Sequence, residues 1–202
     1  MDHYVDIRLQ PDAEFAPSLL MAALFTKLHK VLAAHEHHDI GVSFPEMDVA
    51  DIPQPPGPSR TGAHPRYALG RVLRLHSTSQ ALQKLQAKDW LMGMRDHAVC
   101  STVLAVPANA SHRVFCRVQA KSSPDRLRRR QMRRHGLTEE QAQERIPDSA
   151  AEMLNLPFLT LRSQSTGQTF RLFIRLGPEQ ATPVPGGFGA YGLSPQATVP
   201  WF

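Results

Sequence analysis

The chain has 202 residues, of which 42% are hydrophobic and 20% charged; that is one domain, or two small ones, around a real core, and it excludes a disordered or fibrous chain. No apolar run approaches the roughly 18 residues that span a membrane, and the stretch from Met1 to Asp6 has neither the charged nor the apolar region of a secretory signal. The net charge is +5, which alone points only to an anionic partner.

Two cysteines, Cys100 and Cys116, are too few for a disulfide framework. With no CxxC for a structural zinc site, reduced thiols in the cytoplasm are expected. The distribution of charge is more telling. Between Arg113 and Arg134 lie nine bases and one acid, Asp125, a local charge of +8; the other 14 bases and 17 acids leave −3 elsewhere. Such a footprint is that of a nucleic-acid binder.

In chain order, His3–Leu9 alternates polar and apolar residues as a half-buried strand does. Residues 17–34 read as a helix, with Pro17 in its first turn and Leu20, Ala23, Leu24, Leu28, Val31 and Leu32 at helical spacing. Ile40–Phe44 is a short strand closed by Pro45, and residues 47–69 form a Pro-rich surface connection. Gly70–His76 alternates again. Ser79–Ala87 is a second helix with Leu82 and Leu85 inward, followed by Trp90 as a packing anchor. A strand over Val99–Val106 completes a βαββαβ unit, the ferredoxin-like arrangement. The expectation is an α+β fold: a ferredoxin-like domain over 1–108, then a less regular RNA-binding region over 109–202.

In the second half, Val114–Gln119 is extended. Ser123-Pro124-Asp125 opens a helix, with Ser as cap, Pro in the first position and Asp on the helix dipole. Thr138 and Gln141 form a capping-box start for a helix to Arg145. Phe158–Arg162 and Thr169–Arg175 make a β-hairpin with Gly167 in its loop, and the Gly- and aromatic-rich tail to Phe202 supplies a last strand.

At about 100° per residue, Arg126, Arg129, Arg130, Arg133 and Arg134 share an arc of roughly 140° on the third helix. Only Leu127 and Met132 offer burial on the other side, and a row of phosphates relieves the repulsion among the arginines. Just before it, Arg117 and Gln119 point the same way on an extended segment, so the pair could read two successive purines. His35, His37 and His38 cluster with Glu36 and Asp39 at the end of the first helix, a pattern that suits a solvated helix end better than a metal site. His29, one turn after Phe25, suits a structural histidine as well as a catalytic one. The hydroxyl-rich run Ser163-Gln164-Ser165-Thr166-Gly167-Gln168 suits a phosphate or ribose site as well as tight-turn chemistry.

Taken together, the chain resembles the CRISPR-repeat endoribonucleases of type I-F systems, in the repeat-associated RNA-processing superfamily. The resemblance runs nearly end to end. It rests on Met1-Asp2-His3-Tyr4, Asp6-Ile7-Arg8-Leu9, Leu28-His29 and Gly41-Val42-Ser43-Phe44-Pro45. It continues through Arg117-Val118-Gln119-Ala120-Lys121-Ser122, Arg126-Leu127-Arg128-Arg129-Arg130 and Met132-Arg133-Arg134-His135. It closes with Leu161-Arg162-Ser163-Gln164-Ser165-Thr166-Gly167-Gln168, Tyr191-Gly192-Leu193-Ser194 and Val199-Pro200-Trp201-Phe202. The Pro-rich connection is longer than the family's pattern, and residues 98–115 diverge from it.

The resemblance implies an endoribonuclease that needs no metal or other cofactor, cuts a CRISPR transcript at the 3′ base of the repeat hairpin and stays on that hairpin. His29 matches the catalytic base, Ser163 the serine holding the ribose, and Tyr191 the tyrosine orienting the histidine. Arg117 and Gln119 match the readers of two purines at the foot of the stem. Arg130, Arg133 and Arg134 match stem-binding arginines, and Phe170 an aromatic stacked below the last base pair. Implied partners are the CRISPR repeat RNA hairpin and the subunits of a type I-F surveillance complex, with no membrane and a monomer on RNA. Two other readings are a non-catalytic RNA-hairpin-binding subunit on the same fold and a metal-dependent nuclease using His35, His37 and His38.

Overall fold

Alternation places Val5, Ile7 and Leu9 of β1 (His3–Leu9) in the core. The computed structural model describes residues 1–34, 39–47, 69–119, 124–146, 156–163 and 166–202; the Pro-rich connection and His35, His37 and His38 lie outside them, save Met47 and Leu69, which are buried. Helix α1 (Pro17–Ala34) buries Leu20, Met21, Leu24, Phe25, Leu28 and Leu32. Ala23, expected on that face, is exposed, because it falls outside the arc these six share at 100° per residue.

Next come β2 (Gly41–Ser43), β3 (Val72–Ser77), α2 (Ser79–Gln86), β4 (Ala98–Cys100) and β5 (Leu104–Ala105). Thr78 caps α2 by accepting the Ala81 N–H, and Leu82 and Leu85 face inward as expected. The strands form an antiparallel sheet in the order β2-β3-β1-β4, with β5 also on β1.

The single strand expected over Val99–Val106 is broken in two. Cys100 pairs with Ile7 and Leu104 with Tyr4, so the outer chain carries one residue more than β1 between the two pairs, a bulge. Ser101 makes it: its Oγ accepts the Asp6 N–H at 3.0 Å and its own N–H donates to Asp6 O at 2.8 Å.

Strand β3 is buried on both faces, where its sequence suggested a half-buried strand. Arg74 and His76 occupy the polar face. Arg74 holds Asp6, its cross-strand partner, through Nε at 2.6 Å and Nη2 at 2.9 Å, and lies 4.5 and 4.1 Å from the ring centres of Tyr4 and Phe202. His76 Nε2 is 2.8 Å from Ser43 Oγ, and both residues are buried. Polar groups survive there because each has a cross-strand or aromatic partner.

Beyond them, β6 (Ser111–Arg113) pairs with β10 (Val199–Trp201). A three-stranded sheet has the order β7-β9-β8, from β7 (Phe115–Val118), β8 (Phe158–Arg162) and β9 (Thr169–Leu176). The β8–β9 hairpin is in the expected place, with Leu161 opposite Phe170 and Gly167 at φ +68° in its loop. Phe44 ties the parts together, 6.0 Å from Phe25 and 6.1 Å from Phe115 between ring centres. The architecture is α+β, with segregated helices and antiparallel sheets. Among the described residues no helix is long and apolar enough to cross a membrane.

The chain divides into two compact units, 1–117 with 156–202, and 118–155. The smaller holds α3 (Pro124–His135) and α4 (Glu139–Arg145). Pro124 opens α3 as expected; its proposed cap, Ser123, lies outside the described residues. The capping box at Thr138 and Gln141 is complete in both directions.

Candidate active site

On α1 the positions 26, 29, 30 and 33 lie three and four apart, so helical geometry puts them on one face. That face forms a wall of a cavity of about 470 Å³, lined by Thr26, His29, Lys30 and Ala33 together with Leu161, Arg162, Ser163, Phe170 and Tyr191. The cavity belongs to the larger unit.

His29 is half-buried, and its Nδ1 lies 2.8 Å from the Ala190 carbonyl oxygen. A carbonyl can only accept, so Nδ1 donates, and in the neutral ring the lone pair falls on Nε2. Tyr191 stacks on the imidazole with ring centres 4.0 Å apart and planes 12° from parallel. Tyr191 also lies parallel to Phe25, 6.1 Å away at 6°. The histidine is thereby held in plane by a ring stack and in rotation by a backbone acceptor.

The loop carrying Ala190 and Tyr191 is fixed by glycine. Gly192 has φ +67°, and a Cβ there would run into the Val42 side chain. Its carbonyl accepts the Val42 N–H of β2 at 2.8 Å, and its N–H donates to Gly189 O at 2.8 Å. Only a residue without a side chain adopts this backbone so close to a strand.

Ser163 follows β8. Its N–H donates to Gln168 O at 2.8 Å, and its Oγ accepts the Thr166 N–H at 3.3 Å. Turn chemistry and a place on the cavity wall therefore coexist in one residue. Gln164 and Ser165 lie outside the described residues. Phe170 faces the same cavity, and the exposed Arg117 on β7 has its guanidinium 5.8 Å from the Phe170 ring and 5.6 Å from Tyr191.

Four of the expected residues, His29, Ser163, Phe170 and Tyr191, thus meet at one cavity, with Arg117 over two of its rings. Gln119 and the α3 arginines belong to the smaller unit. There Gln119, Arg130, Arg133 and Arg134 are exposed. Arg128 is buried instead, donating from Nε to Ile146 O at 2.8 Å just past the end of α4, where a cation complements the helix dipole. Leu127 and Met132 are half-buried.

Among the described lining residues there are two cations, Lys30 and Arg162, and no carboxylate. That donor set suits an anion and offers a hard divalent cation no carboxylate anchor. Likewise no group of three or more His, Cys, Asp and Glu converges among the described residues. Sequence reasoning passed over Lys30, although its spacing from Thr26 and Ala33 was readable. The Ala190 carbonyl had no side-chain signal at all.

Two curated relatives align with this chain over 202 residues, the whole length of both partners. Each is named CRISPR-associated endonuclease Cas6/Csy4: one from Pseudomonas aeruginosa (strain UCBPP-PA14), 52% identical, the other from Escherichia coli (strain UTI89 / UPEC), 48% identical. Residues 4–202 also match the family described as CRISPR-associated protein (Cas_Csy4). The chain, an endonuclease by these relatives, belongs to the Cas_Csy4 family of CRISPR-associated proteins.

Proposed function

We propose that this endonuclease is a metal-independent endoribonuclease that cuts CRISPR precursor transcripts at the 3′ base of the repeat hairpin to release guide RNAs, and that it stays on the hairpin. RNA carries its own nucleophile, so the enzyme has only to align a ribose 2′-OH with the adjacent phosphorus and take its proton. His29 Nε2 takes that proton. The 2′ oxygen bonds to phosphorus, the bond to the 5′ oxygen breaks, and the leaving oxygen takes a proton from water. The products are a 2′,3′-cyclic phosphate and a 5′-hydroxyl.

The observation that carries this reading is the Nδ1–H bond to Ala190 O, which in the neutral ring leaves Nε2 as the base on a residue lining a cavity with no carboxylate among its described lining residues. Tyr191 orients the ring from its face. Ser163 holds the ribose. Phe170 stacks below the last base pair of the stem. Arg117 and Gln119 read the two purines at its foot, and Arg130, Arg133 and Arg134 take phosphates of the stem, where a helix can enter an otherwise closed A-form groove near its end. Retention on the cut hairpin suits a cytoplasmic protein that acts as a monomer on RNA and passes with its guide into a type I-F surveillance complex.

A single 2′-deoxy substitution just upstream of the scissile phosphate tests the mechanism. The expected result is no cutting with binding unchanged in a gel shift. Continued cutting of that substrate would replace the internal nucleophile by activated water.

A further inference from the structure

We infer that Lys30 supplies the positive charge that stabilises the reacting phosphate, which makes it a further catalytic residue of this site. The inference rests on the reading above, that the cavity cuts RNA by 2′-OH attack. In that reaction negative charge builds on the non-bridging phosphate oxygens as the fifth bond to phosphorus forms. A cation already in place there acts only where charge develops, and without a metal it has to come from the chain.

The cavity narrows the choice. Its described lining residues hold two permanent cations, Lys30 and Arg162. Arg162 is engaged in the turn, donating from Nε to Gly167 O at 3.0 Å. Thr26 is engaged too, its hydroxyl donating to Ala22 O at 2.8 Å. Lys30 follows His29 directly, about 100° around α1, and both side chains line the same cavity. Its ammonium sits on a flexible four-carbon stem with three donors, and the residue is exposed. A phosphate brought within reach of the His29 imidazole therefore comes within reach of this ammonium as well. No described lining carboxylate competes for it.

The test uses the full chain and a repeat-hairpin RNA under single-turnover conditions, comparing wild type with Lys30→Met, Lys30→Arg and His29→Ala. Lys30 is exposed, so its variants keep the fold. Lys30→Met is expected to slow cutting about 100-fold, within the range for removal of one electrostatic donor. Binding of a 2′-deoxy-blocked hairpin should change no more than about 3-fold, since a transition-state contact contributes little to the ground state. Lys30→Arg should restore most of the rate. A phosphorothioate at a non-bridging oxygen of the scissile phosphate should slow the wild type more than Lys30→Met. Near wild-type cutting by Lys30→Met overturns the inference, as does equal loss in Lys30→Arg or a loss confined to binding. His29→Ala separates the two levels: if it is inactive while Lys30→Met is not, only the role of Lys30 falls, whereas active His29→Ala removes the reading beneath it.

Discussion

His29 and His76 show how surroundings divide one side chain between two tasks. His29 sits half-buried at the cavity with a backbone carbonyl on Nδ1. His76 is fully buried in β3, with Ser43 Oγ on Nε2 and nothing on Nδ1. Burial, with the Arg74 charge adding to it, holds the His76 imidazole well below the usual histidine range. In the unfolded chain the same group titrates near 6.5. Above that pH both states are neutral and the fold keeps its full stability. Below it the unfolded chain takes a proton that the folded chain refuses, so stability falls as pH drops, by up to about 1.4 kcal/mol per unit for one such group. Urea midpoints at pH 7.5 and 5.5 should therefore fall further for the wild type than for His76→Gln. Equal falls would place the acid sensitivity elsewhere. None of this was visible in the sequence, where His76 closed an alternating run and its Ser43 partner lay 33 positions away. Spacing alone showed His29 only as a histidine one turn after Phe25, and its expected role came from the family resemblance; the tautomer depends on a main-chain atom 161 positions on.

Among the elements, α3 divides its arginines in a way the helical wheel anticipated in part. The wheel left Arg128 off the basic arc, and in the fold that residue is buried against Ile146 O at the end of α4. It did not reveal that α3 has a partner helix, because a bond from an arginine side chain to a main-chain carbonyl leaves no mark in hydrophobic periodicity. The exposed Arg130, Arg133 and Arg134 are the proposed phosphate contacts. Replacing each by Ala should flatten the slope of log K against log salt by about 0.7–0.9 and weaken all hairpin RNAs alike. Replacing Arg117 should instead cost about 1–3 kcal/mol on the cognate stem and relax its purine preference. A salt slope unchanged in all three α3 variants would take phosphate binding away from this helix. The strands were legible where alternation was long, as in β1 and the β8–β9 hairpin. The break between β4 and β5 was not, since it depends on a Ser101 hydroxyl competing with the Asp6 ladder.

Across the whole molecule, the arginine cluster of α3 lies in the smaller unit, while the proposed chemistry sits in the larger one. On the proposed reading, the phosphate contacts of α3 and the cutting at the cavity come from different stretches of chain. That division allows affinity to rest on the stem, which survives cleavage, and the rate to rest on a few groups around one phosphate. The order of elements was legible because hydrophobic period and caps are local. The meeting of α1, the β8–β9 hairpin and the 186–194 loop was not, since it depends on glycines such as Gly192 that let a loop lie against β2. The account comes down to an internal nucleophile and a histidine base acting without metal. Incubating a repeat transcript with the protein in EDTA and identifying the fragment ends tests this directly: the account predicts full cutting, with a 2′,3′-cyclic phosphate on one fragment and a 5′-hydroxyl on the other, whereas loss of cutting, or a 3′-hydroxyl with a 5′-phosphate, would contradict it.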